Sequence, residues 1–130
     1  MKLVVDTSAL VAIALEEAEC DAFIDALEAA EEPVMSPMTY VELGIVLLGR
    51  EITLSQEDLD DWLGMYRVSV AREPVIDRAA LDAFVRYGKG RHPARLNLSD
   101  CFAYALAKAL DAPLLYKGDD FSQTDVRAAI

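Results

Sequence analysis

Apolar positions along the chain change their period several times, and the changes mark out alternating strands and helices. Lys2-Leu3-Val4-Val5 is a short Val-rich run without polar alternation, the pattern of a strand buried on both faces. It stops at Asp6-Thr7-Ser8, and the apolar segment Ala9 to Leu15 starts a helix. From Glu17 to Ala30, Phe23, Ile24 and Leu27 recur at helical spacing with acids on the opposite face. Pro33 to Ser36 reads as a second strand. Pro37 then stands where proline opens a helix, because the N–H it lacks would have no partner there. That helix carries Tyr40, Val41, Leu43, Ile45, Val46, Leu47 and Leu48 and ends near Gly49. Ser55 to Tyr66 is amphipathic, with Leu59, Trp62, Leu63 and Tyr66 on one face and Glu57, Asp58, Asp60 and Asp61 on the other. Val68 to Val70, or Pro74 to Ile76, adds a strand, and Asp77 caps a helix through Ala80, Leu81, Phe84 and Val85.

The stretch from Asn97 onward is the most informative. Asn97 with Asp100 three residues later has the spacing of a helix N-cap and an acidic third residue. The next seven residues, Cys101 to Ala107, carry no formal charge, so this helix is expected to be buried on nearly every side. Ala112 to Tyr116 reads as a last buried strand, Lys117 to Phe121 as a turn, and Ser122 to Ile130 as a short closing helix. Strand and helix alternate throughout, which predicts a three-layer α/β/α domain with a mostly parallel central sheet. With 130 residues the chain makes one domain, 1–130, and no repeat or linker divides it.

Composition narrows the function classes. Hydrophobic residues make up 54% of the chain and mean hydropathy is +0.20, which excludes a disordered chain. No apolar run approaches the about 20 residues of a membrane span, and Lys2 and Asp6 come too early for a signal peptide. A cytoplasmic protein is expected, with Cys20 and Cys101 as reduced thiols in apolar stretches. Twelve Lys and Arg stand against 23 Asp and Glu, a net charge of −11. That balance disfavours indiscriminate nucleic-acid binding and favours a basic partner or a cation held by clustered acids.

Three regions supply acids of interest. Asp6 follows the first strand, where open α/β sheets place ligands, although an Asp there also serves as an ordinary cap. Glu42 lies among apolar residues of its helix, a costly place for an unpaired charge. Asp119 and Asp120 share the turn after the last strand, a common place for acids of no chemical importance. In a parallel sheet these positions and Asp100 gather along one edge. Carboxylates so close raise each other's pKa, and a hard divalent cation relieves the conflict. Oxygen donors without a Cys or His cluster favour Mg²⁺ or Mn²⁺ over zinc. The one basic segment, residues 86–95, places Arg86, Lys89, Arg91, His92 and Arg95 in a loop that either contacts phosphates or balances nearby acids.

These motifs carry a family resemblance. Val4-Val5-Asp6-Thr7-Ser8-Ala9-Leu10 resembles the opening of PIN-domain ribonucleases, and Thr39-Tyr40-Val41-Glu42-Leu43 resembles their second acidic motif. Asn97-Leu98-Ser99-Asp100-Cys101-Phe102-Ala103-Tyr104 is similar to their third. Leu114-Leu115-Tyr116-Lys117-Gly118-Asp119-Asp120-Phe121 resembles the ending found in VapC toxins. The resemblance implies a PIN fold and a Mg²⁺-dependent endoribonuclease, with Mn²⁺ as an alternative cofactor. It also implies a homodimer and a VapB antitoxin as partners, with water attacking RNA to leave a 3′-hydroxyl and a 5′-phosphate. Carried over, Asp6, Glu42, Asp100 and Asp120 are the catalytic acids. Asp119 is a further metal-ligand candidate, and Ser8 and Ser99 orient the carboxylates or bind metal-held water. Where many relatives have Ser or Thr shortly before the fourth acid, this chain has Tyr116-Lys117-Gly118.

Rival readings are weaker. Aspartate-nucleophile phosphatases need a second Asp where Ser8 stands, and a receiver domain needs Lys-Pro where Lys117 precedes Gly118. The remaining alternative is a catalytically degenerate PIN domain acting as a binding or regulatory module. The presence of all the acids counts against it.

Overall fold

The structure, a computed structural model, describes every residue from Met1 to Ile130. Four strands, β1 (Lys2–Val5), β2 (Glu32–Met35), β3 (Ser69–Val70) and β4 (Leu114–Leu115), form one all-parallel sheet in the order β3-β2-β1-β4. Six helices flank it: α1 (Thr7–Ala14), α2 (Cys20–Ala29), α3 (Pro37–Gly49), α4 (Gln56–Met65), α5 (Asp77–Tyr87) and α6 (Leu98–Ala109). The expected three-layer α/β/α architecture is the one observed.

Period-2 alternation in the central strands divides the core. Leu3 and Val5 of β1 and Leu115 of β4 point to one face, where they pack with Leu10, Leu27, Leu43 and Leu47 from α1–α3. Val4 and Leu114 point to the other, against Leu106 of α6, Ala80 of α5 and Phe121. Both faces of β1 are therefore covered, which is why its sequence shows no polar alternation. Of the two candidate third strands, Ser69–Val70 pairs with β2, whereas 74–76 forms none.

Three expectations are corrected. The second helix starts only at Cys20, because Glu17 to Glu19 lie in the connection from α1. Asp77 is the first residue of α5 rather than its cap; Ile76 occupies the cap position and no side chain caps this end. The tail is not a helix. After one 3-10 turn, Phe121–Gln123, it runs extended and pairs with β4: Leu114 N donates to Arg127 O at 2.8 Å and Ala129 N to Leu114 O at 2.9 Å. Covering the open edge of β4 satisfies backbone groups that a terminal helix would leave bare.

Candidate active site

β1 delivers Asp6 to the carboxyl edge of the sheet, next to β4, whose Leu115 O accepts the Asp6 N–H at 2.9 Å. The side chain caps α1. Its Oδ2 accepts from Ser8 N at 3.0 Å and from Ser8 Oγ at 2.6 Å. The other oxygen, Oδ1, is buried with no hydrogen-bond partner, in a residue only 3% exposed. Burial pushes this carboxyl above its usual range against the pull of the Ser8 bonds, and the charge of Glu42 adds to the rise.

Asp100 is fixed by the reciprocal cap its sequence spacing predicts. Asn97 N donates to Asp100 Oδ2 at 3.0 Å, and Asp100 N donates to Asn97 Oδ1 at 2.9 Å. The box holds one carboxylate oxygen at the mouth of α6, whose buried residues lock the helix into the core. Partial burial raises the Asp100 pKa to about 7, with further contributions from the charges of Asp6, Glu42 and Asp120. Charges from three other segments thus bear on Asp100, and that of Glu42 bears on Asp6 as well.

Glu42 reaches this group for a different reason than its sequence context suggests. Its apolar neighbours are only partly core: Leu43 is buried, but Val41 is 53% exposed and Ile45 67%. Glu42 is half-buried on that outward side of α3, lining a shallow cavity with Leu98 and Ser99. Proximity to Asp6 and Asp100, not an apolar cage, sets it apart. In the last turn, Asp120 is the acid whose charge acts on Asp100. The Asp119 carbonyl accepts from Ser122 Oγ at 2.6 Å and its side chain is exposed.

The two serines differ. Ser8 orients Asp6 directly, and its Oγ also accepts from Lys117 N at 2.9 Å, tying Asp6 to the turn after β4. Ser99 Oγ is buried without a partner and bonds to no carboxylate. Lys117 is not among the residues the sequence places at the site, yet it bonds to Ser8 there. Its ammonium pairs with Glu17 at 3.0 Å and Glu19 at 3.4 Å. A lone basic residue between the last strand and the acidic turn was the available signal.

The basic loop is partly turned inward. Arg86 stands 3.9 Å from Asp125 and 5.0 Å from the Tyr87 ring centre. Arg91 Nε donates to Val85 O at 3.2 Å. His92 is half-buried, its Nδ1 accepting from Ala94 N at 3.0 Å and its ring edge-on to Tyr87. Lys89 and Arg95 are exposed, and neither makes a salt bridge or side-chain hydrogen bond. They are the loop's available cations.

No three Asp, Glu, His or Cys side chains form a finished metal cage. Mg²⁺ does not require one, since it keeps several waters and commonly takes one or two carboxylates beside substrate phosphates. The orphaned Asp6 Oδ1, the all-oxygen donors and the mutual repulsion of the acids fit such an ion.

Comparison with known proteins agrees with this geometry. The sequence profile described as PIN domain matches residues 3–127. A ribonuclease VapC of Mycolicibacterium smegmatis is 47% identical over 132 residues, covering 97% of this chain and 98% of its own. Ribonuclease VapC30 of Mycobacterium tuberculosis is 43% identical, with 95% of each chain covered. Ribonuclease VapC42 of the same species is 41% identical, with 98% of each covered. The crystal structure of Mycobacterium tuberculosis VapC20 superposes with a TM-score of 0.68 over 96% of this chain and 98% of that one; at 19% identity it supports the fold alone. An edge of acids held by β1, α3, α6 and the turn after β4, together with relatives alike over nearly their whole length, places the chain in the PIN-domain family, among the VapC ribonucleases.

Proposed function

We propose that the chain is a divalent-cation-dependent endoribonuclease toxin that cleaves RNA phosphodiester bonds with water. The observation that carries this reading is the Asp6 carboxylate: one oxygen is held by Ser8 and the other is buried and unpartnered, with the charges of Glu42 and Asp100 near. Asp6 and Asp100 would hold Mg²⁺ or Mn²⁺, with Glu42 and Asp120 binding the ion or the waters around it. A cation there neutralises charge developing on the phosphodiester and lowers the pKa of water. Ser8 and the Asn97 box keep Asp6 and Asp100 in fixed orientations, so little reorganisation accompanies reaction. Lys89 and Arg95 contact the RNA backbone, offsetting part of the −11 charge. No side-chain nucleophile takes part: Cys101 is buried, and burial pushes its thiol up to about 11.

The same acidity suits a basic antitoxin segment of the VapB kind. The exposed Val41, Ile45 and Leu98 beside Glu42 offer it apolar anchors. The exposed side chains of residues 37–66, Leu48, Leu54 and Met65 included, offer a face for a homodimer. No helix is long and apolar enough to cross a membrane. RNA cleavage measured with Mg²⁺ present and then chelated tests the central reading. Asp6→Asn should fall to background in both conditions, and metal-independent cleavage would reject the mechanism.

A further inference from the structure

The only cation bonded beside the acid cluster does not neutralise it. The Lys117 backbone N–H donates to Ser8 Oγ at 2.9 Å, and the same hydroxyl donates to Asp6 Oδ2 at 2.6 Å. Its side chain runs instead to the connection between α1 and α2, where the ammonium meets Glu17 and Glu19. One residue therefore fastens three segments: the start of α1 through Ser8, the α1–α2 connection through two carboxylates, and the turn that it begins. That turn needs fastening. Gly118 adopts a left-handed φ of 102°, Asp119 and Asp120 are exposed, and the next side chain in the core is Phe121, against Tyr116. With the Lys117 side chain released, the near end of the segment from Gly118 to Asp120 would keep only the backbone bond to Ser8.

We infer that Lys117 is a positioning residue: by clamping the turn after β4 to Glu17 and Glu19 and to the Ser8–Asp6 pair, it holds Asp120 in reach of the cation site. The inference rests on the cation-binding reading above. It also accounts for the acids at 17 and 19, which draw the ammonium outward and leave the carboxylates free for a divalent ion. Orienting partners of ligands typically change metal affinity by about tenfold or more, and an exposed ion pair contributes less, so an intermediate effect is expected.

The test uses the full chain and Mn²⁺ as probe, measured by isothermal titration calorimetry at neutral pH without RNA. Lys117→Met and the double variant Glu17→Gln/Glu19→Gln should each weaken Mn²⁺ binding about three- to tenfold. These variants change the local charge in opposite directions. A shared loss therefore reports geometry, whereas long-range electrostatics would tighten binding in the first and weaken it in the second. Lys117→Arg, which keeps the charge and the reach, should bind within about twofold of wild type. Adding Lys117→Met to the Glu17/Glu19 variant should weaken binding no further, since the clamp is already open. Opposite effects in the two variants, or unchanged or tighter binding by Lys117→Met, would overturn the inference while leaving the cation site standing. A wild-type chain that takes up no Mn²⁺ would overturn both.

Discussion

Asp100→Asn offers a prediction in which stability and catalysis move in opposite directions. The Asn97 box survives the change, because an amide oxygen still accepts the Asn97 N–H. What disappears is a charge that the folded protein holds at a cost. The carboxyl's rise from 3.8 to about 7 corresponds to roughly 4 kcal/mol between its charged and neutral forms. Asp100 keeps partial contact with water, so screening reduces this to about 1–2 kcal/mol. Because the folded pKa is raised, the folded state retains a proton that the unfolded chain has lost. The associated stability is present below about pH 4 and is lost as pH rises toward about 7. The asparagine variant never ionises. Without divalent cations at pH 8 it should therefore be more stable than wild type by about 1–2 kcal/mol, raising the melting temperature by roughly 3–8 °C. The gap should close as pH falls toward 4. Thermal unfolding in EDTA across this range measures it, and RNA cleavage by the same samples with Mg²⁺ should be lost. A variant less stable than wild type at pH 8, or a gap that ignores pH, would refute the reasoning.

Three further outcomes follow from the geometry. Lys89→Ala/Arg95→Ala should weaken RNA binding and reduce the slope of log K against log salt by about 1.4, as two single-strand phosphate contacts would; an unchanged slope in a filter-binding titration would exclude both residues. Gly88→Ala should destabilise by about 1–3 kcal/mol in urea unfolding, because the added Cβ would come within 2.6 Å of the Phe84 carbonyl and ring where α5 turns into the basic loop. Phe121→Ala removes the buried ring that ends the acidic turn; a loss of about 3 kcal/mol is expected by denaturant titration, along with weaker Mn²⁺ binding.

The elements most legible in the sequence were those whose local and global demands agree. The uncharged run after Asp100 and the Asn97 spacing each led to the observed α6 and its capping box. The alternation of strands and helices led to the parallel sheet, and the acids after β1 and β4 to its carboxyl edge. Where one signal served two outcomes, reading failed. The residues after Gln123 have no strand pattern of their own and are extended because β4 needed an edge partner, a demand set by the sheet. Glu42 is half-buried rather than enclosed by its apolar neighbours, since a helix presenting apolar side chains to solvent looks in sequence like one buried in the core. The basic loop looked uniform, yet Arg86, Arg91 and His92 are occupied by partners that no local pattern reveals. Lys117 shows in sequence only as a departure from the family pattern, because its partners at 17 and 19 lie far away in the chain.

The proposed mechanism requires a divalent cation seated among these acids. Crystals of the full chain soaked in Mn²⁺ and measured for anomalous scattering test it directly. A peak is expected beside Asp6 Oδ1 and Asp100, absent from crystals of Asp6→Asn. No peak at that edge, or a peak that survives Asp6→Asn, would contradict it.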